Sequence, residues 1–285
     1  VLEDVVLSEE NILYEMNADR LDALRRSIVG ACNECDNGNV VTFDMKKRMP
    51  KVARCKCVKR YDRLATLVKA GIPTSKLDKV KDSRRGIFEK KCVPYRFRKE
   101  IVDGEAVYKS SPGKVMFLYK DRINSYISNE RYKDGKSLFL FGPNGCGKTI
   151  TMLDLMDKFS EIPDFSLYYA SMRDLVDIFM SSSKRYINEQ SAFYKKLFKV
   201  ILNCDFLAID EFGKETKVEK MAFEVQTAIE TIIKYRVDNG LATIISTNYS
   251  PDDLCDEYND SIVSVLQERY EFILLDTTID YRFNI

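Results

Sequence analysis

The residues best placed to do chemistry lie at 142–149, where GPNGCGKT fits the spacing G-x-x-x-x-G-K-[ST]. Gly142, Gly145 and Gly147 let the backbone wrap around phosphates and turn its N–H groups inward. Pro143, Asn144 and Cys146 complete the loop, and the helix that follows adds the positive end of its dipole. In this pattern Lys148 reaches the β- and γ-phosphates of ATP, and the Thr149 hydroxyl holds Mg²⁺. A second motif, FLAIDEFG at 206–213, delivers two carboxylates at the end of an apolar run. Asp210 is the candidate for the Mg²⁺ shell, and Glu211 for orienting and deprotonating the attacking water. An Asp-Glu pair alone is usually just solvated; the apolar run before it and the upstream loop give it meaning. ISTN at 245–248 closes a third apolar run, and Asn248 there is placed to hydrogen-bond the attacking water or the γ-phosphate.

A different chemistry is set by the cysteines. Cys32-x-x-Cys35 and Cys55-x-Cys57 stand about twenty residues apart across a turn-rich stretch. Two such pairs suit a tetrahedral Zn²⁺ site with four thiolates and no open position, hence a structural one. The alternative is two pairs of free thiols. Cys92, Cys204 and Cys255 are isolated and read as packing residues. The chain has no histidine, which excludes histidine catalysis and histidine ligands.

These groups need elements to hold them. Hydrophobic residues make up 45% of the 285 residues and charged ones 31%, enough apolar material for a packed core. Ile12, Leu13, Met16, Leu21, Leu24 and Ile28 recur with helical spacing over 8–29. Ala31–Arg60 carries turn signals at Asp36-Asn37-Gly38. Residues 61–115 are mixed and basic, with Pro73, Pro94 and Pro112, and read as a linker into a second part. From 116 onward helices alternate with strands: helix 116–130, strand 137–141, helix 149–160, strand 165–170, helices 172–202, strand 205–209, helix 218–239 and strand 241–246. Helices after Pro251 and a strand at 271–275 follow. This alternation predicts an α/β fold with a mostly parallel sheet flanked by helices. The expected organisation is a helix and four-cysteine module over 1–65, a basic linker over 66–115 and an ATPase domain over 116–285.

The order GIP (71–73), GPNGCGKT, AIDEFG and STNYSPDDL (246–254), closed by an arginine-bearing stretch, resembles the DnaC/DnaI/IstB group of AAA+ ATPases. The resemblance covers 71–285. It implies an AAA+ P-loop NTPase fold, with Asn248 as the sensor. It also implies that Arg269 is an arginine finger acting in trans on a neighbouring subunit's ATP, so that subunits associate head to tail. Arg282 falls where the group has a late nucleotide-sensing arginine, although Thr278 replaces the usual glycine before it. Some DnaI-type loaders carry an N-terminal zinc domain, which fits the cysteine module here.

Lys46–Arg60 contains eight basic and no acidic residues. Arg84, Arg85, Lys90, Lys91, Arg96, Arg98 and Lys99 form a second cluster, with Phe88, Tyr95 and Phe97 among them. Basic residues with aromatics suit a groove for single-stranded DNA; a solvated basic surface is the plain alternative. By the resemblance, Lys184, Arg185 and Tyr186 face a central pore. Net charge of +1 leaves any basic surface local. No run reaches the roughly 20 apolar residues of a membrane span, so the expectation is a cytosolic protein; the resemblance implies a bacterial source, phage or mobile-element origin included. The expected function is an ATP-dependent loader of a replicative DNA helicase. The alternatives are an IstB-like transposon ATPase that regulates a transposase, and a nucleotide-dependent replisome adaptor with little hydrolysis.

Overall fold

The computed structural model describes residues 9–77, 91–102, 105–113, 117–182, 189–214 and 223–275. Its centre is five parallel strands: β6 (Ser137–Phe141), β7 (Leu167–Ser171), β8 (Phe206–Phe212), β9 (Ala242–Thr247) and β10 (Tyr270–Leu275). Across the sheet they run β10-β6-β9-β8-β7. β6 and β9 are buried along their whole length, as apolar runs of parallel strands covered on both faces should be.

Alternate residues feed two cores. Leu138, Leu140, Ala208, Ile244 and Ile273 pack on one face, with α2 (Lys56–Lys69), α3 (Tyr119–Ser128) and α4 (Lys148–Phe159). Phe139, Phe141, Leu207, Ile209, Ile245 and Phe272 pack on the other, with α5 (Met172–Ser182), α6 (Glu189–Asn203), α7 (Phe223–Asp238) and α9 (Asp260–Arg269). Short α8 (Pro251–Glu257) begins with a capping box between Ser250 and Asp253. α1 (Glu9–Arg25) contributes Ile12 to one core and Leu21 to the other.

The stretch 66–115 differs from a linker. α2 crosses the expected boundary at 65, and its Leu64, Ala65, Leu67 and Val68 are buried. Arg63 on α2 grips the Asp157 carboxylate of α4 with two N–H groups, one at 2.6 Å. Strands β3 (Lys91–Val102) and β4 (Glu105–Pro112) form an antiparallel hairpin, and β3 extends the sheet along β10. Two-residue β5 (Phe117–Leu118) also pairs with β3, so the helix expected from 116 starts at Tyr119. The helical stretch 172–202 is two helices, and α7 is described from Phe223.

The far edge strand, β7, is capped by the GIP turn: the Tyr169 N–H donates to Ala70 O at 2.6 Å. Gly71 sits at φ +90° there, and a Cβ on it would lie 2.5 Å from Tyr169 O. Only glycine satisfies both demands. Upstream, β1 (Asn39–Asp44) and β2 (Met49–Arg54) form a separate antiparallel hairpin. Among the described residues no helix is long and apolar enough to cross a membrane.

Candidate functional site

β6 ends at Phe141 and α4 begins at Lys148, so the sequence between them must turn back sharply over the sheet edge. Gly147, the residue before α4, takes a left-handed φ of 89°, which a side chain would oppose. The Lys148 ammonium is buried and donates to Gly142 O at 2.6 Å and Pro143 O at 2.8 Å. It thus lies at the mouth of the loop. Thr149 turns toward β8, where its hydroxyl lies 3.1 and 3.3 Å from the two Asp210 carboxylate oxygens.

Asp210 is 2% exposed. Burial alone would raise its pKa most strongly. Hydrogen bonds from Ser246 and Tyr169, the nearby Lys76 ammonium and the Thr149 hydroxyl together outweigh that, and the net shift is downward. The Tyr169 hydroxyl donates to Asp210 Oδ2 at 2.7 Å. Burial, then the Asp210 carboxylate, raise the tyrosine well above its ordinary range. The carboxylate is therefore kept ionised in a buried place, as a divalent cation between it and Thr149 requires.

Glu211 is arranged oppositely. The pairing of β8 with β9 shifts register between Ile209 and Phe212, and Glu211 takes φ +62°. The bulge turns its side chain outward, where Lys214 Nζ lies 2.6 Å from Oε1. Ser171, Arg173, Glu211 and Lys214 line a cleft of about 280 Å³. Asn248, at the tip of β9, donates from Nδ2 to Asn144 Oδ1 at 3.1 Å, joining the third motif to the first. The structure thus assembles Lys148, Thr149, Asp210, Asn144 and Asn248 at one end of the sheet, where ligands of parallel α/β sheets bind. Cys146 is buried beneath the loop, its sulfur 3.8 Å from Lys148 Nζ. Arg269 is exposed at the end of α9, its Nε 3.2 Å from Glu268 Oε1, outside that cluster. Arg282 lies outside the described residues, as do Arg84, Arg85, Phe88, Lys90, Lys184, Arg185 and Tyr186.

Sequence reading did not find three residues of the Asp210 cluster: Lys76, Tyr169 and Ser246. Ser246 was the nearest to legible, being the first residue of the STN motif, where only Asn248 was given a role; the other two meet Asp210 only through folding.

The second cluster lies at the base of the β1–β2 hairpin. Cys32, Cys35, Cys55 and Cys57 place their sulfurs within 4.8 Å of one another. Cys32 pairs with Cys55 at 3.9 Å and Cys35 with Cys57 at 3.5 Å. Four sulfurs at the usual Zn–S length of about 2.3 Å stand roughly 3.8 Å apart in a tetrahedron, so the arrangement fits Zn²⁺. Partial burial and then the neighbouring sulfurs push the Cys57 thiol up to about 12. Several thiolates crowded together without a cation are unfavourable, which is what a metal relieves. The Cys55 N–H donates to Gly38 O at 2.8 Å, tying the pair to the hairpin turn. Lys46, Lys47, Arg48, Lys51 and Arg54 are exposed on this hairpin.

A five-stranded parallel sheet in this order, with a phosphate-binding loop after one strand and Asp-Glu on the strand two places away, is the arrangement of a P-loop NTPase. Within that class the chain is similar to the replicative helicase loader DnaI of Bacillus subtilis (strain 168), with 31% identity over 147 residues. That match covers 51% of this chain and 43% of the relative, so the chain spans less than half of that protein's length. Similar solved structures include the crystal structure of the DnaC helicase loader, at 25% identity and a TM-score of 0.46, covering 56% of this chain and 92% of that one. A crystal structure of DnaI matches at 20% identity and a TM-score of 0.42, covering 56% and 84%. The resemblance to AAA+ ATPases of the DnaC/DnaI type is thus met again in the comparisons. No protein-family model matches the chain.

Proposed function

We propose that this chain is an ATPase that loads a replicative DNA helicase onto single-stranded DNA. The observation that carries the ATPase reading is the convergence of Lys148, Thr149 and an ionised, buried Asp210 at one end of the sheet. The likeness to a helicase loader supports the choice of partner.

In this reading the loop Gly142–Thr149 binds ATP and Lys148 neutralises the β- and γ-phosphates. Thr149 and Asp210 would hold Mg²⁺, which when bound screens phosphate charge. Glu211 serves as the base for the attacking water, and Asn248 orients the γ-phosphate side. For Glu211 to act, its carboxylate must leave Lys214, an exposed pair that costs little to break. Arg269, exposed at a helix end, is suited to reach a neighbouring subunit's ATP, giving a head-to-tail assembly. The four-cysteine module would hold Zn²⁺ and present its hairpin to the helicase.

The test mixes the purified chain with the replicative helicase of its source, with ATP, Mg²⁺ and single-stranded DNA, and measures complex mass and ATP hydrolysis. The expected result is a defined complex whose hydrolysis falls at least ~100-fold in Lys148→Ala. Hydrolysis without any complex, under every nucleotide condition, would leave an ATPase and move a transposase partner to first place.

A further inference from the structure

Lys76 lies in the short turn Thr74–Lys76, beyond the GIP segment and upstream of every nucleotide motif. Its ammonium nevertheless reaches the centre of the site. Nζ is 3.3 Å from Asp210 Oδ2, hydrogen-bonds the Tyr169 hydroxyl, and stands 4.8 Å from the centre of that ring. The same Asp210 Oδ2 lies 3.1 Å from the Thr149 hydroxyl. Thus one carboxylate oxygen is shared between a lysine on one side and the candidate metal position on the other.

We propose that Lys76 is a positioning residue that competes with the divalent cation for Asp210, so that loading the site with metal and nucleotide releases the Thr74–Lys76 turn. This rests on the nucleotide-site reading above. Two cations on one buried oxygen repel, and the low local dielectric strengthens that repulsion. Of the groups around Asp210, Lys76 is the one that can leave easily. Its side chain is one-quarter exposed and has a flexible stem, whereas Ser246 and Tyr169 are neutral, buried and compatible with a metal. The release would be felt along the chain. Ala70 is fastened to β7, α2 is clamped to α4 by Arg63, and α2 starts directly after Cys55 of the sulfur cluster. Lys76 therefore stands where the state of the nucleotide site can be read by the arm that leads back to the cysteine module.

The test uses the full chain and a fluorescent ATP analogue, titrated with Mg²⁺, in wild type, Lys76→Met and Lys76→Arg. Thermal melting confirms folding. In Lys76→Met the Mg²⁺ concentration for half-maximal binding should fall about 3- to 10-fold, the effect of removing one nearby charge. Lys76→Arg should stay near wild type. Amide exchange over 70–77 should rise in wild type when metal and nucleotide bind, and should already be fast in Lys76→Met without them. An unchanged or higher Mg²⁺ midpoint in a folded Lys76→Met overturns the proposal. So does a loss of nucleotide affinity at saturating Mg²⁺, which would make Lys76 a nucleotide contact. Absence of nucleotide binding in wild type would instead overturn the reading of the site itself, and this inference with it.

Discussion

The nucleotide cluster and the four-cysteine cluster solve the same problem, fixing a few polar atoms in space, by opposite means. Around Asp210 the work is done by packing: β6 and β9 are buried throughout, and two apolar cores clamp the sheet. Around Cys32–Cys57 there is almost no core. The β1–β2 hairpin exposes Val41, Phe43, Met45 and Val52, and its order rests on short turns and four sulfurs. A site built on packing keeps its geometry without its ligand. A four-sulfur site holding Zn²⁺, as proposed, would owe its geometry to the ion, and the two regions should fail under different treatments.

With Zn²⁺ in the cysteine module, as proposed, the largest effect should come from removing it. Structural Zn²⁺ contributes on the order of 10–16 kcal/mol to folding in small modules. Chelation, or Cys32→Ser with Cys35→Ser, should therefore unfold 31–54 while the sheet stays folded and nucleotide still binds. Amide exchange over the hairpin, read beside nucleotide binding, checks this. Protection of the hairpin that survives chelation would break the contrast. A smaller, opposite effect is expected at Arg236, which is fully buried on α7. Its guanidinium donates to Thr243 Oγ1, to Ala242 O and to Cys204 O and Leu202 O, tying the end of α6 to the start of β9. Arg236→Ala strands those acceptors and should cost about 2–4 kcal/mol by urea unfolding. Zinc content of the folded protein should be unchanged, since the loss falls on the packed region alone.

What was legible in the sequence follows the same division. Contiguous motifs were readable because their chemistry is local: a loop of glycines before a lysine, carboxylates at the end of FLAID, cysteines at ligand spacing. The parallel sheet followed from alternation alone. The region 66–115 was misread because its basic residues and prolines masked two signals. α2 buries Leu64, Leu67 and Val68 on one face of a helix whose other face is charged, and Pro94 sits within a strand that borders β10. Lys76 and Tyr169 carry no motif at all. Their meeting with Asp210 depends on the GIP turn reaching the β7 edge, a long-range packing event that no local pattern encodes.

Acid should separate the two regions once more, with the smallest effect. Asp210 is held below the ordinary aspartate value of about 3.9. A depressed carboxylate contributes stability that is present above its unfolded pKa and is lost as pH falls through the folded value. The contribution at Asp210 therefore persists to pH 4 and disappears only below it. Asp210→Asn should narrow the gap to wild type there and widen it at neutral pH, as measured by unfolding without nucleotide. The sulfur cluster runs the other way. Its thiols bind metal only when deprotonated, and a thiol ordinarily titrates at about pH 8.5, so protons compete with Zn²⁺ long before they reach Asp210. On a downward pH titration, zinc release should precede the loss of the Asp210 contribution. Coincident transitions would mean that the module and the sheet unfold as one unit, joined through α2 more firmly than their separate means of support imply.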